Sequence, residues 1–272
     1  MKSNALLCLL LLPLLFACSQ KKSVNTETSK VETIEFDTLT YEKRMIDSRC
    51  FDSSCCYVLF KWIVPKDKQL QKDLVRFASD SKFDDLDEYE KATCSFYEKQ
   101  AKDVIVDWEK SGNKEEDEPD IVFTIIEHSQ LYKPILNNEQ YLVMEFFFYE
   151  GGGGSHGDKA IIYYTYRKRD KKWLTLDDVL LLQKGKEINK VLDKVVREKH
   201  HLNATEPIDG TDENGSCINT DTISYTQNFT LDEKGITFHY GEYEVGPYAC
   251  GFYSLFVPYE KLKPFLNTNF KY

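Results

Sequence analysis

The sequence predicts an α+β protein of two packed subdomains, built mainly from antiparallel sheets with helices on one face. Three observations point there. The 272 residues include 17 Tyr, 17 Phe and 3 Trp, flat side chains that pack well on a pleated surface. Apolar residues recur with strand and helix periods along the chain. The elements follow one another as strand, two helices, strands, helix, strands and helix, which is not a regular βαβ alternation. With 42% apolar residues the chain has enough to bury.

Residues 1–17 read as a secretory signal: Lys2 supplies a positive start, and Ala5 to Ala17 is an apolar stretch interrupted by Pro13. A spanning helix needs about 20 apolar residues, more than this stretch holds. Leu15-Phe16-Ala17-Cys18 resembles a bacterial lipobox, which makes Cys18 the expected lipidation site and anchors the chain to a membrane. Residues 18–30 are polar and read as a tether. Ser19 is not the aspartate of an inner-membrane retention signal, and Lys21-Lys22 are not the acidic cluster of a surface-export signal. The expected location is therefore the periplasmic face of the outer membrane.

The N-terminal subdomain is expected over 31–136. Cys56, Val58, Phe60 and Trp62 alternate with Tyr57, Leu59, Lys61 and Ile63 in a strand that Pro65 ends. Cys55 and Cys56, adjacent on it, point to opposite faces. Leu70, Leu74 and Phe77 form one helical stripe, and Cys94, Tyr97, Ala101, Ile105 and Trp108 a second, longer one. An acidic loop, 115–120, follows, then a strand over Ile121–Glu127.

The C-terminal subdomain is expected over 137–272. Strands 141–149 and 160–166 flank the glycine-rich turn 150–158 as a hairpin. Thr175 with Asp178 is a capping-box signature, starting a helix that breaks near Gly185 and resumes through Ile188, Val191, Leu192 and Val195. After a polar stretch, 200–222, a second hairpin joins 224–231 to 236–240. Phe252 to Val257 is a strand that Pro258 stops, and 259–266 a short closing helix.

Charge excludes one class of partner. Thirty-five basic against 45 acidic residues give −10, or −11 once Lys2 leaves with the signal, a balance that repels nucleic acid. No cofactor is expected either. Gly152 to Gly157 matches G-x-G-x-x-G, but a strand follows where a pyrophosphate site needs a helix N-terminus. Ser155, His156 and Asp158 supply three triad residue types, yet neighbours on an extended segment point apart. His156 remains of interest because glycines expose the backbone around it. No metal site is expected, since C-x-x-C is absent and no histidine lies near the cysteines. His200-His201, at a helix end, are expected to neutralise its carbonyls. After Cys8 and Cys18 are set aside, Cys50, Cys55, Cys56, Cys94, Cys217 and Cys250 remain, an even number that suits disulfides in an exported chain and leaves their pairing open.

Three segments, YEGGGGSHGD (149–158), WLTLDDVLL (173–181) and FHYGEYEVGPYACGFYSLFVPYEKLKPFL (238–266), resemble the C-terminal domain of the RsiV-type family. Tyr243, Val245, Pro247, Tyr248, Ala249, Gly251, Pro258 and Tyr259 match its motif. In that family an anti-sigma-factor ectodomain binds lysozyme, and related domains accompany a peptidoglycan deacetylase. This sequence shows neither the anti-sigma segment nor the deacetylase module. Cys250 replaces a residue that is commonly small and apolar in the family, and Cys217 precedes it in the polar stretch, so these two are the first expected disulfide.

The resemblance implies a non-catalytic envelope lipoprotein that binds a protein or glycan partner. Lysozyme is the first ligand to try, and Ser155, His156, Tyr243 and Tyr248 are the candidate contacts. Two readings compete: an enzyme acting on peptidoglycan or another envelope glycan through carboxylates such as Asp177, Asp178 or Glu150, and a structural subunit of an envelope assembly. A paired-carboxylate pocket favours the enzyme, and an exposed aromatic patch at the glycine hairpin favours binding.

Overall fold

A computed structural model describes residues 33–46, 54–110, 126–151, 156–211, 215 and 217–271. Cys18, Cys50, Ser155, the acidic loop and the side chains of Cys55 and Trp108 lie outside the described residues. Glu32–Tyr272 forms one compact unit, and the α+β class expected from the sequence is the class observed.

Its centre is a six-stranded sheet in the order β1 (Phe36–Ile46), β2 (Ser54–Pro65), β3 (Ile126–Asn137), β4 (Tyr141–Gly151), β5 (Asp158–Arg167), β6 (Lys172–Leu174). Neighbours run antiparallel except β2 and β3, which are parallel. A parallel pair needs a crossover, and helices α1 (Lys68–Ala78) and α2 (Leu86–Lys110) supply it. Asp67 starts α1 by accepting from the Leu70 amide at 2.8 Å, and Asp85 does the same for Glu88 in the first turn of α2. Both helices lay their stripes on one sheet face: Leu70, Leu74, Cys94, Tyr97, Ala101 and Ile105 pack with Cys56, Val58, Phe60, Trp62 and Val64 in a first core.

A second core gathers α3 (Leu176–Val179), α4 (Gly185–Lys199), α5 (Tyr259–Leu262), the three-stranded sheet β11–β10–β9 and the ribbon β7–β8. The sheet comprises β9 (Phe229–Leu231), β10 (Gly235–Tyr240) and β11 (Tyr253–Pro258), and the ribbon β7 (Ile208–Thr211) and β8 (Cys217–Thr220). The 136/137 boundary expected between subdomains falls between the last two residues of β3, inside one sheet, and the first core reaches Trp173. Among the described residues no helix is long and apolar enough to cross a membrane.

Several elements differ from expectation for local reasons. Of the expected third strand, residues 121–125 lie outside the described residues; the described strand, Ile126–Asn137, runs beyond the expected end at Glu127, and it tolerates Pro134 where the ladder shifts register between Pro134 and Leu136. The ribbon β7–β8 interrupts the expected polar stretch by burying Ile208 and Ile218. The helix capped by Thr175 ends at Val179, before Gly185, because Leu180 forms a bridge to Leu266. Gly185 is then the first residue of α4.

Candidate functional site

The β4–β5 turn and the segment after β10 meet. His156, just beyond the glycine run, lays its ring on Tyr248 with centroids 4.0 Å apart and planes 19° from parallel. Its Nε2 lies 3.4 Å from the Tyr243 hydroxyl, and the rings of Tyr243 and Tyr248 are 5.7 Å apart. Residues 87 positions apart in sequence thus form one aromatic cluster.

Each member is held by its own element. Tyr248 opens a short 3-10 helix whose last residue, Cys250, is disulfide-bonded to Cys217 at the start of β8, with Cα atoms 4.6 Å apart. The pair sits on the β7–β8 ribbon and the 3-10 turn, not at the edge of the three-stranded sheet. The Asn219 amide donates to the Val245 carbonyl at 2.7 Å, a second tie between ribbon and segment. Lys159 on β5 places its ammonium 5.3 Å from the Tyr248 ring and 3.2 Å from Glu242 Oε1. The hydrogen bond to Glu242 raises the Lys159 pKa above its ordinary value. Tyr243 is 63% exposed, with a left-handed backbone, φ 66°. A rigid, amphipathic ring held out from the surface suits contact with a partner.

The carboxylates named for an enzyme do not converge. Asp178 is engaged with the Thr175 amide, 3.0 Å, and with Lys172, while Glu150 accepts from the Tyr97 hydroxyl at 3.2 Å. Asp177 and Asp178 follow β6, beside the end of β5 that faces Tyr141, and Glu150 lies nine residues further along β4. At about 3.3 Å per residue that is roughly 30 Å, several times the separation of a working acid–base pair. His156 turns its nitrogens to Tyr243 and to the Gly157 carbonyl, the latter at 3.3 Å, rather than to Asp158. The His200 ring, expected to neutralise helix carbonyls, instead bonds the Tyr253 hydroxyl at 2.9 Å. Among the described residues no group of three or more His, Cys, Asp or Glu is placed to hold a metal ion. Cys56 and Cys94 are free and buried, and burial pushes the Cys56 thiol up to about 11.

Sequence reading missed one pair. His128 and Gln130, two apart on β3, share the face that packs under α2 and are 1% and 3% exposed. Gln130 Nε2 lies 2.8 Å from His128 Nε2 and donates to the Tyr89 hydroxyl at 3.2 Å. Burial lowers the His128 pKa to about 4. The signal in sequence was polar residues at alternate positions of a strand. It was unreadable because the strand was expected to end at Glu127.

Residues 180–260 match a family model described as a protein of unknown function, DUF3298. No curated protein matches the chain. Among solved structures, a DUF3298 family member from Bacteroides fragilis NCTC 9343 is similar at TM-score 0.68 and 19% identity, over 87% of this chain and 94% of that one. A DUF3298 family protein from Pseudomonas aeruginosa PAO1 is similar at TM-score 0.58 and 17% identity, over 88% of this chain and 97% of that one. At these identities the likeness is one of fold, and the fold it supports is the one described above.

Proposed function

We propose that this chain is a lipid-anchored protein of the bacterial cell envelope that binds a protein or glycan partner without acting on it chemically. Cys18 holds it at the periplasmic face of the outer membrane, and lysozyme is the first ligand to try. The observation that carries the reading is the His156–Tyr243–Tyr248 cluster, where an exposed tyrosine stands on a scaffold fixed by a disulfide and a ring stack. The resemblance of 149–158, 173–181 and 238–266 to the RsiV-type family supports a lysozyme-like partner. A formal charge of −11 after removal of the signal would steer a basic protein toward the surface.

Steering alone fades at physiological salt, where the Debye length is about 8 Å, so salt separates attraction from recognition. Lysozyme titrated against the immobilised lipid-free chain should bind at both low and physiological salt. Tyr243→Ala, Tyr248→Ala or His156→Ala should weaken it roughly tenfold. Binding that disappears at physiological salt, or that ignores all three truncations, sinks this site. Separately, Cys18→Ser should release the protein from the membrane fraction.

A further inference from the structure

Residues 167–172, Arg-Lys-Arg-Asp-Lys-Lys, are the densest basic run in a chain of formal charge −10, and they form the turn between β5 and β6. The chain enters its fold beside this turn. Asn137, at the end of β3, donates from Nδ2 to the Ile34 carbonyl at 3.0 Å and accepts from Lys168 Nζ at 2.7 Å. Ile34, Lys168 and Lys171 also line one small cavity of about 170 Å³. Thr33, where the described residues begin, follows Cys18 by 15 positions, a length of chain that reaches at most roughly 54 Å. That is ample for a domain of this size to turn any face toward a membrane, so charge has to choose the face.

The inner cations of the turn are already matched. Arg167 is 8% exposed and places Nη2 2.5 Å from Asp170 Oδ2, and Lys172 pairs with Asp178. Arg169 and Lys171 are exposed and form no ion pair among the described residues. Arg169 donates to the Asn269 carbonyl at 3.5 Å, which brings alongside the C-terminal segment and its exposed Lys271. The acids that share the cavity, Asp67 and Asp73, are engaged with α1 itself: Asp67 caps it, and Asp73 accepts from the Gln69 amide at 2.8 Å.

We propose that the β5–β6 turn, together with Lys271, lies against the anionic phospholipid headgroups of the leaflet that holds the lipid anchor. The inference depends on the reading of Cys18 as that anchor. Each Lys or Arg held near an anionic leaflet favours the contact by about fivefold, while the net acidic remainder of the chain is repelled by the same leaflet. Orientation follows. Arg167 faces Tyr141 at one end of the β4–β5 ladder and Asp158 faces Glu150 at the other, roughly 30 Å away at 3.3 Å per residue. His156 stands just before Asp158, so the contact turns the His156–Tyr243–Tyr248 cluster away from the leaflet, where a partner can reach it.

The test holds the chain from Cys18 onward on vesicles, through a histidine tag placed before Cys18 and a nickel-chelating lipid. An amine-acylating reagent is applied, and each lysine is read by mass spectrometry. The tag makes the footprint independent of native acylation: fractionation of Cys18→Ser decides whether Cys18 is the anchor, and the footprint decides which face meets the leaflet. On vesicles of one-third phosphatidylglycerol, Lys168, Lys171 and Lys271 should react at least about fivefold more slowly than on phosphatidylcholine alone. Lys99 and Lys102, exposed on α2, should keep their rates. The protection should vanish at about 1 M salt, where the Debye length is about 3 Å. In Arg169→Glu/Lys171→Glu, a change at two exposed positions, Lys168 and Lys271 should lose it as well. Equal rates on the two vesicles, stronger protection of Lys99 and Lys102 than of the turn, protection that survives high salt or the double substitution, or the same protection from glycerol phosphate without vesicles would each overturn the proposal.

Discussion

Tyr243 holds φ at 66°, a conformation that costs a non-glycine residue about 1 to 2 kcal/mol because Cβ crowds the following carbonyl. Its neighbours fix that geometry: the Gly241 amide donates to Glu244 Oε2 at 2.8 Å, and the Glu244 amide to the Gly241 carbonyl at 3.3 Å. The ring, at 63% exposure, recovers little of the cost by burial. Stability and binding should therefore separate at this residue. Tyr243→Gly should be more stable than Tyr243→Ala by about 1 kcal/mol, since only the alanine keeps the strain. Both should lose partner binding to the same degree, since both lack the ring. Denaturant melts of the two variants check the first statement and the lysozyme titration the second; equal stability would mean that the backbone here relaxes when the ring is removed.

Among elements, the β7–β8 ribbon is short, and its link to the segment carrying Tyr248 is covalent. The disulfide closes a loop with a sequence separation of 33, for which loop-closure entropy implies about 3 to 4 kcal/mol. Cys217→Ser/Cys250→Ser should lower the unfolding free energy by roughly that amount and, by loosening the Tyr248 turn, weaken binding through the aromatic cluster. A melt unchanged by the substitutions would show that Asn219, Val245 and the ribbon core suffice without the bond. The ribbon also shows what could be read from sequence. Elements with a long one-sided stripe were legible: α1, α2, α4 and the alternation of β2. His156, Tyr243 and Tyr248 could be singled out one by one, from the glycine-rich turn and from motif resemblance, but their contact with one another comes only from the tertiary fold. Illegible were β7 and β8, at four residues each too short to show a period. β1 was illegible because it is an edge strand carrying Glu42, Lys43 and Arg44, the polar dress that keeps sheet edges from pairing with other chains. The His128–Gln130 pair escaped because its burial depends on α2 and β4, which only tertiary packing brings over β3.

On the scale of the molecule, the two cores share strands. Leu142 and Met144 of β4 enter the first core and Tyr141 the second; in β6, Trp173 and Leu174 divide the same way. Asn228 then ties β5 to the start of β9, accepting from the Tyr163 amide at 2.9 Å and donating to the Ile161 carbonyl at 2.6 Å. Damage to one core should therefore reach the other, and acid is a way to inflict it. His128, in the first core, and His239, under Tyr163 where β10 faces β5, both have pKa values lowered by burial to about 4. A histidine of ordinary pKa near 6.5 in the unfolded chain then binds a proton between about pH 6.5 and 4 that the folded chain refuses, so stability falls as pH drops through that window and is fully present above it. Full expression of the shift is worth about 3 kcal/mol per histidine. His239 should contribute less than this, because Thr230 and Ser254 hydroxyls lie 3.0 and 2.9 Å from its nitrogens and can accept from an imidazolium. His128, with only an amide nitrogen beside it, should contribute more. Asp84, held by Arg76 and Lys72 down to about 2, keeps its ion pairs until a lower pH, and Glu90, raised by burial, works weakly in the opposite direction. Urea melts should thus lose most stability between pH 6.5 and 4.5, and His128→Phe should flatten that decline by about 2 to 3 kcal/mol while leaving the behaviour below pH 4 to the carboxylates. An unaltered slope in His128→Phe would show that the ring accepts its proton inside the fold, with Gln130 turned to receive it.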